Sequence, residues 1–233
     1  MFQGKMKAIT FSYDDGVTQD KRLIKLLKKY DLKATFNLNS GLMSTAFCLH
    51  ISNGTTVSHC KPGLAEVAKI YEGFEVAGHT LNHPMLPSIA DEDEIAWQVE
   101  EDRRILSETV GYEVVGFAYP GGGKNADERV ADVLRRKTGV KYARTIVSSH
   151  SFAPEKDLYL FRPTVYQYAE WDKMMAMADA FLASKPDTPQ LFYIWSHAYE
   201  FDIHDTWDRL EEFFAKIAHK DDIFYGTNKE VLL

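Results

Sequence analysis

Two histidines spaced four residues apart are the strongest chemical signal in the sequence. His79 and His83 lie in the polar stretch 78–84, which ends in proline. We expect them on one side of a single helical turn, with Cβ atoms roughly 5–6 Å apart. At that separation two imidazoles can reach one cation, with metal–nitrogen bonds of about 2.0–2.1 Å for zinc. Such a pair also suits a loop cap, so a metal site needs a further ligand from elsewhere.

A pair of adjacent carboxylates, Asp14 and Asp15, precedes Gly16 at the end of an apolar run. Neighbouring residues leave a strand in opposite directions, so one carboxylate can coordinate a metal while the other faces a substrate. Asp-Gly is also an ordinary turn opener, which is the competing interpretation. Joined with the two histidines, one carboxylate completes a common catalytic metal site that leaves positions open for water and substrate. Zinc in such a site lowers the pKa of a bound water to about 7.

Strand-like and helix-like segments alternate about seven times along the chain. The predicted strands cover residues 6–13, 33–38, 74–77, 113–119, 140–146, 158–165, 190–196 and 221–225. Residues 39–61 have no clear period and are predicted to form an insertion loop within a single domain, 1–233. This alternation predicts a mainly parallel sheet with outer helices, either open or closed as a barrel.

A barrel is the favoured choice because the conspicuous polar residues all follow predicted strands. Asp14, Asp15, His79, residues 119–121 and His197 each lie where a strand is expected to end. In a βα barrel, the carboxyl ends of the strands line one mouth, which is where the chemistry takes place. The sequence therefore predicts that these residues meet at one mouth.

Composition excludes several classes of function. The chain has 233 residues, 45% of them apolar, and a net charge of -7. An acidic chain without a basic run is not expected to bind nucleic acid or an anionic membrane surface. A signal-peptide pattern and an apolar stretch of roughly 18–20 residues are both missing, so we expect a cytoplasmic location unless a leader has been removed. Two cysteines, Cys48 and Cys60, do not make a disulfide scaffold, and their pairing stays open.

Four motifs occur in a characteristic order. They are Tyr-Asp-Asp-Gly at 13–16, His-Thr-x-x-His at 79–83, Phe-Ala-Tyr-Pro-Gly at 117–121 and Ile-x-x-His at 194–197. This order resembles the polysaccharide deacetylase family (carbohydrate esterase family 4, the nodulation-type deacetylases) over nearly the whole chain. The resemblance implies a distorted (β/α) barrel of about seven parallel strands. It also implies removal of N- or O-acetyl groups from an acetylated carbohydrate with one divalent metal, Zn²⁺ being favoured over Co²⁺, Ni²⁺ and Mn²⁺.

The same resemblance implies roles for individual residues. The implied metal ligands are Asp15, His79 and His83. Asp14 becomes the general base, and His197 becomes the general acid that protonates the departing amine or alcohol. The backbone N–H of Gly121 helps to hold the oxyanion. His197 is also compatible with a buried histidine that closes a strand.

The third motif departs from the family pattern. An arginine that orients the base is replaced by Ala118, and a tyrosine is replaced by Gly121. Arg144 and Arg162, each in a strand-like run, are the candidates to take over the arginine's place, although either also suits a structural ion pair.

An acidic partner for His197 is not fixed by the sequence; Glu200 and Asp202 are the nearest candidates. Tyr119, Pro120 and Trp195 are predicted to line the substrate site, where aromatic faces can stack on sugar rings, although such residues also suit a core. Four residues of the insertion could form a second metal site, but their spacing matches no zinc pattern: Cys48, His50, His59 and Cys60.

Two other functions remain open at this point. Some relatives of these deacetylases cleave an amide bond in a small cyclic molecule, and the altered third motif allows that possibility. Alternatively, the chain is a catalytically silent carbohydrate-binding protein, as Ala118 and Gly121 suggest. The leading hypothesis is a metal-dependent carbohydrate deacetylase.

Overall fold

A computed structural model describes residues 2–233. Within that range the strands are β1 (Lys7–Asp14), β2 (Thr35–Leu38), β3 (Cys48–His50), β4 (Thr56–Ser58), β5 (Glu75–Gly78), β6 (Gly116–Ala118), β7 (Tyr142–Arg144), β8 (Val165–Tyr166), β9 (Gln190–His197) and β10 (Ile223–Tyr225). The α-helices are α1 (Asp20–Lys29), α2 (Leu64–Ile70), α3 (Glu92–Val110), α4 (Glu128–Lys137), α5 (Trp171–Ala183), α6 (Glu200–Ile203), α7 (Trp207–Ile217) and α8 (Asn228–Leu232).

Seven parallel strands form one curved sheet in the order β7-β6-β5-β2-β1-β9-β8, and β10 pairs with the first half of β1. Past β7, Phe161 forms a parallel bridge with Arg144. Three residues further on, the N–H of Thr164 donates to the carbonyl of Tyr193 at 2.8 Å. Residues 158–164 therefore connect the two ends of the sheet, and the predicted distorted (β/α) barrel is confirmed.

The central strand β1 is buried on both of its faces. All eight of its residues are buried, and the neighbouring β9 is buried over six consecutive positions. Near-continuous apolar runs of this kind are typical of parallel strands that have helices outside them. On the outer side of β1, Phe11 packs edge-on against Phe213 and Phe214 of α7.

Strand register brings the chemistry-bearing residues to one edge. Asp14, the last residue of β1, lies beside Asn37 of β2 and beside His197 of β9. On the far side, Arg144 ends β7 next to Ala118 of β6. Because all these strands are parallel, their carboxyl ends form a common mouth, as expected for this architecture.

Residues 39–61, predicted to form an insertion loop, contain a short 3₁₀ helix at Ser40–Leu42 and the antiparallel pair β3–β4. Two backbone hydrogen bonds fix the chain where it leaves β4. His59 N–H donates to the carbonyl of Phe47, and the N–H of Thr18 donates to the carbonyl of Cys60, both at 2.8 Å. The hairpin is therefore attached to the loop that follows β1.

Within residues 2–233, none of the helices has the length and apolar character that a bilayer span requires. The longest, α3, spans 19 residues and carries acidic side chains throughout its first turn. Asp91 caps it, accepting a hydrogen bond from the N–H of Asp93, and Gly111 ends it in the left-handed region.

Candidate metal and catalytic site

A cleft of about 350 Å³ opens at the carboxyl ends of the strands. It is lined by Asp14, Asp15, His79, His83, Tyr119, Gly121, Gly122, Ile146, Tyr166, Trp195, His197 and Tyr199. Most of the residues singled out in the sequence therefore meet in one place, although they come from segments up to 183 positions apart.

Asp15, His79 and His83 form a compact set of potential metal ligands. Oδ1 of Asp15 lies 3.9 Å from Nε2 of His79 and 3.7 Å from Nε2 of His83. One ligand atom from each residue lies within 4.8 Å of the other two, and among residues 2–233 this is the one such group of His, Cys, Asp or Glu. Cys48, His50, His59 and Cys60 do not form a second group, and both thiols are free.

The histidine pair is presented by a loop, so the predicted helical turn is wrong. His79 directly follows β5, and the chain then turns through Thr80 (φ 68°) and His83 (φ 60°), both in the left-handed region. The N–H of His83 donates to Oγ1 of Thr80 at 3.0 Å, which fixes this turn. The ring centroids nevertheless lie 4.9 Å apart, close enough to share one cation.

Hydrogen bonding sets the tautomer of His79. Its Nδ1 lies 2.7 Å from the carbonyl oxygen of Ala118, which can only accept, so Nδ1 carries the hydrogen and Nε2 keeps its lone pair. Burial lowers the pKa of His79 to about 4, so the ring is neutral at pH 7. The backbone N–H of His79 donates to Asp102 at 2.9 Å. Such outer partners orient a metal-binding imidazole.

Asp15 lies just past the end of β1 and has φ 80°. This left-handed residue turns its carboxylate into the cleft beside that of Asp14, so the expectation that the two diverge by strand alternation is wrong. Burial alone would raise the pKa of Asp15. A hydrogen bond from His59, together with the charges of His197 and Lys61, holds its pKa well below the usual value.

Arg144 supplies the cation that the third motif lacks. The buried guanidinium of Arg144 donates to both carboxylate oxygens of Asp14, and Nδ2 of Asn37 donates to Oδ1 of Asp14 at 2.7 Å. Burial works to raise the pKa of Asp14. The charge of Arg144 is the largest opposing effect, and the pKa of Asp14 ends below its usual value.

Arg162, the other candidate to replace the arginine of the third motif, lies outside the cleft. Arg162 is exposed and pairs with Glu155, 2.7 Å away. Arg144 instead lies over the indole of Trp195, 4.6 Å from the ring centroid, and Trp195 stacks on Tyr166 at 4.1 Å. The ring of Trp195 thus supports the arginine beneath the cleft, as well as contributing to the cleft wall.

His197 faces the cleft from the other side of Asp15, with Nε2 at 3.9 Å from Oδ2 of that residue. Its Nδ1 lies 3.1 Å from Oε1 of the buried Glu200, within ion-pair distance but outside hydrogen-bond geometry. Burial favours the neutral ring, yet the charge of Glu200 prevails and raises the pKa of His197 to about 9. Asp202 instead accepts a hydrogen bond from Nε1 of Trp207 at 2.8 Å, so Glu200 is the acidic neighbour.

Any residue other than glycine at position 121 would clash with Met85. Its φ is 85°, and a Cβ added there would lie 2.1 Å from Sδ of Met85. The sulfur of Met85 therefore fills the space next to the position where the family pattern has a tyrosine. Tyr119 borders the cleft, but its ring is buried and its hydroxyl donates to the carbonyl of Tyr159 at 2.8 Å. Pro120, also predicted to line the site, is buried and is not among the residues that line the cleft.

Two buried polar residues of the site, Asn37 and Lys61, were not predicted from the sequence, and a third, His59, was considered only for a second metal site. Asn37 follows directly from the parallel register with Asp14, so the strand assignment could have found it. His59 and Lys61 come from the segment without a period. His59 carried a signal as one of the metal-binding residue types in the insertion, whereas no pattern in the sequence singled out Lys61.

Residues 3–143 match the family model described as Polysaccharide deacetylase, which is more than half of the chain. The chain belongs to the polysaccharide deacetylase family. The resemblance drawn from the four motifs is thereby confirmed. A search of curated protein sequences finds no significant match to this deacetylase-family chain.

Solved structures share the fold of this deacetylase-family member at low identity. A candidate polysaccharide deacetylase from Mycobacterium smegmatis is 16% identical, with TM-score 0.66 over 98% of this chain and 89% of that one. A pseudoenzyme of carbohydrate esterase family 4 from Bacillus anthracis is 18% identical, with TM-score 0.58 over 97% and 66%. The deacetylase PplD of Streptococcus pyogenes, in complex with acetate, is 22% identical, with TM-score 0.50 over 65% and 61%. The chain thus spans about three fifths of the Streptococcus protein.

Proposed function

We propose that this protein is a metal-dependent hydrolase that removes acetyl groups from a carbohydrate. The observation that carries the proposal is the meeting of three kinds of group in one cleft. These are a set of potential metal ligands around Asp15, a carboxylate paired with a cation at Asp14, and an imidazole paired with a carboxylate at His197. Family membership supports the same reaction.

The donor set fits a divalent cation such as zinc. Two imidazole nitrogens and one carboxylate oxygen are a common zinc-ligand set, and His79 offers a free Nε2 lone pair. Bonds of about 2.0–2.2 Å at tetrahedral angles place two ligand atoms about 3.3–3.6 Å apart. The 3.7 and 3.9 Å separations from Asp15 are a few tenths of an ångström wider. When bound, the cation supplies a Lewis acid that polarises the acetyl carbonyl.

Asp14 is the proposed general base. Its carboxylate lines the cleft and is held by Arg144 and Asn37, so its direction is fixed. Because its pKa lies below the usual value, Asp14 is ionised at neutral pH and can accept the proton of the attacking water.

His197 is the proposed general acid. With a pKa raised to about 9, the ring carries its proton at neutral pH and can deliver it to the leaving amine or alcohol. Its Nε2 lies 3.9 Å from Oδ2 of Asp15, which places the donor next to the potential ligands. Glu200 is itself fixed beside the ring, since it accepts hydrogen bonds from Ser196 and from the backbone N–H of His197.

The cleft wall suits a sugar with an acetyl group. Gly121 contributes backbone rather than side chain to the wall, so its N–H is the proposed donor to the carbonyl oxygen as negative charge develops there. Tyr166, Tyr199 and Ile146 provide apolar surface around the polar floor. A chain of net charge -7 favours a neutral or cationic glycan over a polyanionic one.

The test is acetate release by purified protein over a panel of acetylated chito- and xylo-oligosaccharides. We expect activity that disappears on chelation and returns with zinc or cobalt. Cyclic ureides serve as the comparison substrates, and preferential hydrolysis of those amides would replace the carbohydrate assignment with the cyclic-amide alternative. Tight glycan binding without turnover in any metal would reject a hydrolase altogether.

A further inference from the structure

Beyond these groups, we propose that His59 is a positioning residue for Asp15, and that the hairpin segment 39–61 is therefore part of the metal site. This inference rests on the proposed function only in taking Asp15 as a metal ligand. The residue comes from the insertion, and the reaction described above makes no use of it.

The two oxygens of Asp15 face different partners. Oδ1 is the oxygen nearest to His79 and His83, whereas Oδ2 lies 3.2 Å from Nε2 of His59. Since a carboxylate in this setting accepts, Nε2 of His59 donates the hydrogen bond. Its Nδ1 is buried without a partner. The contact therefore fixes the rotation of the carboxylate and leaves Oδ1 directed at the two histidines.

The ring of His59 is itself held in place. It stacks against Phe47 with 4.7 Å between centroids, and it meets the edge of Tyr199 at 5.0 Å. Phe47 belongs to the outgoing arm of the hairpin and is half exposed, whereas Tyr199 lines the cleft. The imidazole is therefore clamped between the insertion and the loop after His197, and it is only 6% exposed.

Lys61 acts on the backbone of the same aspartate. Its buried Nζ donates to the backbone carbonyl of Asp15 and lies 3.4 Å from Oδ1 of Asn39. That carbonyl belongs to a residue in the left-handed region, a conformation that needs outside support in a residue other than glycine. Two residues of one short segment thus fix the side chain and the main chain of Asp15.

The geometry assigns His59 a place outside the ligand set. The potential ligand atoms of Asp15, His79 and His83 lie within 4.8 Å of one another, and His59 approaches the opposite carboxylate oxygen. Partners of this kind orient a ligand, and their loss typically weakens metal affinity about 10–100-fold.

The experiment measures zinc affinity of the full chain by competition with a chromophoric chelator, without substrate. His59→Ala is expected to weaken zinc binding about 10–100-fold. His59→Gln, whose amide N–H can donate to Oδ2, is expected to recover part of that loss. His50→Ala, on the same hairpin but exposed, is the matched control and should bind zinc like the unaltered protein. Affinity within twofold of the unaltered protein in folded His59→Ala would overturn the proposal.

Two further measurements control for misfolding of His59→Ala and for a direct ligand role of His59. If His59→Ala does not fold, Phe47→Ala is the second variant, because it removes a half-exposed ring that holds the imidazole in place. We expect it to weaken zinc binding as well. An unchanged zinc affinity in Phe47→Ala would count against the proposal. Cobalt absorption spectra should show the same number of ligands with and without His59, whereas loss of a nitrogen ligand would make His59 a ligand rather than a positioning residue. Because none of these readouts uses acetate release, failure of the deacetylase assignment would be recognised separately.

Discussion

On each side of the cleft an ionisable group lies next to a buried residue of opposite charge, and the two pKa shifts have opposite directions. Asp14 and His197 are paired on neighbouring strands, and each has a buried partner of opposite charge behind it. Arg144 pushes the pKa of Asp14 down, whereas Glu200 raises the pKa of His197 to about 9. Residues behind the cleft thus keep Asp14 ionised and His197 protonated at the same pH. Such a divergence of environments is what the proposed base and acid roles require.

The two partners reach the site by different routes. Arg144 lies 130 positions from Asp14 and arrives only when β7 has joined the barrel. Glu200 lies three positions after His197, at the start of α6, and needs only one local turn. We therefore expect the base side to depend on the whole fold and the acid side to depend on a local segment.

Arg144→Met should produce the largest effect, because it leaves the Asp14 carboxylate buried without its cation. Breaking a buried pair in this way costs about 3–5 kcal/mol of unfolding free energy, measurable by urea denaturation. Without the arginine the pKa of Asp14 rises, so the acid limb of kcat/KM should move to higher pH, by about 1–3 pH units. Arg162→Gln, which removes a surface ion pair, should change stability by no more than about 0.5 kcal/mol. Equal effects in both variants would contradict the role given to Arg144.

Glu200→Gln tests the acid side. In its proposed role the histidine acts while protonated, so activity should fall as the pH rises through its pKa. Removing the carboxylate lowers the pKa of His197, and the alkaline limb of kcat/KM should therefore move to lower pH, by about 1–3 pH units. Asp202→Asn, two positions away, serves as the control and should leave that limb in place. An unchanged limb in Glu200→Gln would remove the basis for the acid assignment.

Asn37→Ala should show the smallest effect on pH dependence. It removes a neutral donor to Asp14 while the Arg144 contact stays, so the acid limb should move less than in Arg144→Met. Loss of a hydrogen bond to a charged group costs roughly 1.5–3 kcal/mol of unfolding free energy. If the limb moved as far as in Arg144→Met, the neutral donor rather than the charge would be controlling Asp14.

Local sequence patterns were enough to predict much of the fold and part of the candidate site. The alternation of strand-like and helix-like segments predicted a parallel sheet, and the polar residues at the strand ends favoured a barrel. Asp14, Asp15, His79, His83 and His197 were named from spacing and position at strand ends, and the structure brings all five together.

Contacts between distant segments could not be predicted in the same way. Arg144 and Arg162 both lie in strand-like runs, and only the barrel decides which one faces inward: Phe161 takes the inner position and Arg162 the outer. His59 and Lys61 lie in a segment without periodicity, and backbone hydrogen bonds of the hairpin determine where they end up. The loop geometry of His83 was also missed, because spacing of four fits both a helix and a left-handed turn.

The most direct test of the account is single-turnover acetate release by Asp14→Asn. The substitution keeps the shape of Asp14 but removes the proposed base, and it leaves the residues Asp15, His79 and His83 unaltered. With metal loaded to the same stoichiometry as in the unaltered protein, release from an acetylated oligosaccharide should slow by about 10²–10⁴-fold. A rate within tenfold of the unaltered protein, at equal metal content, would contradict the assignment of Asp14 and with it the proposed mechanism.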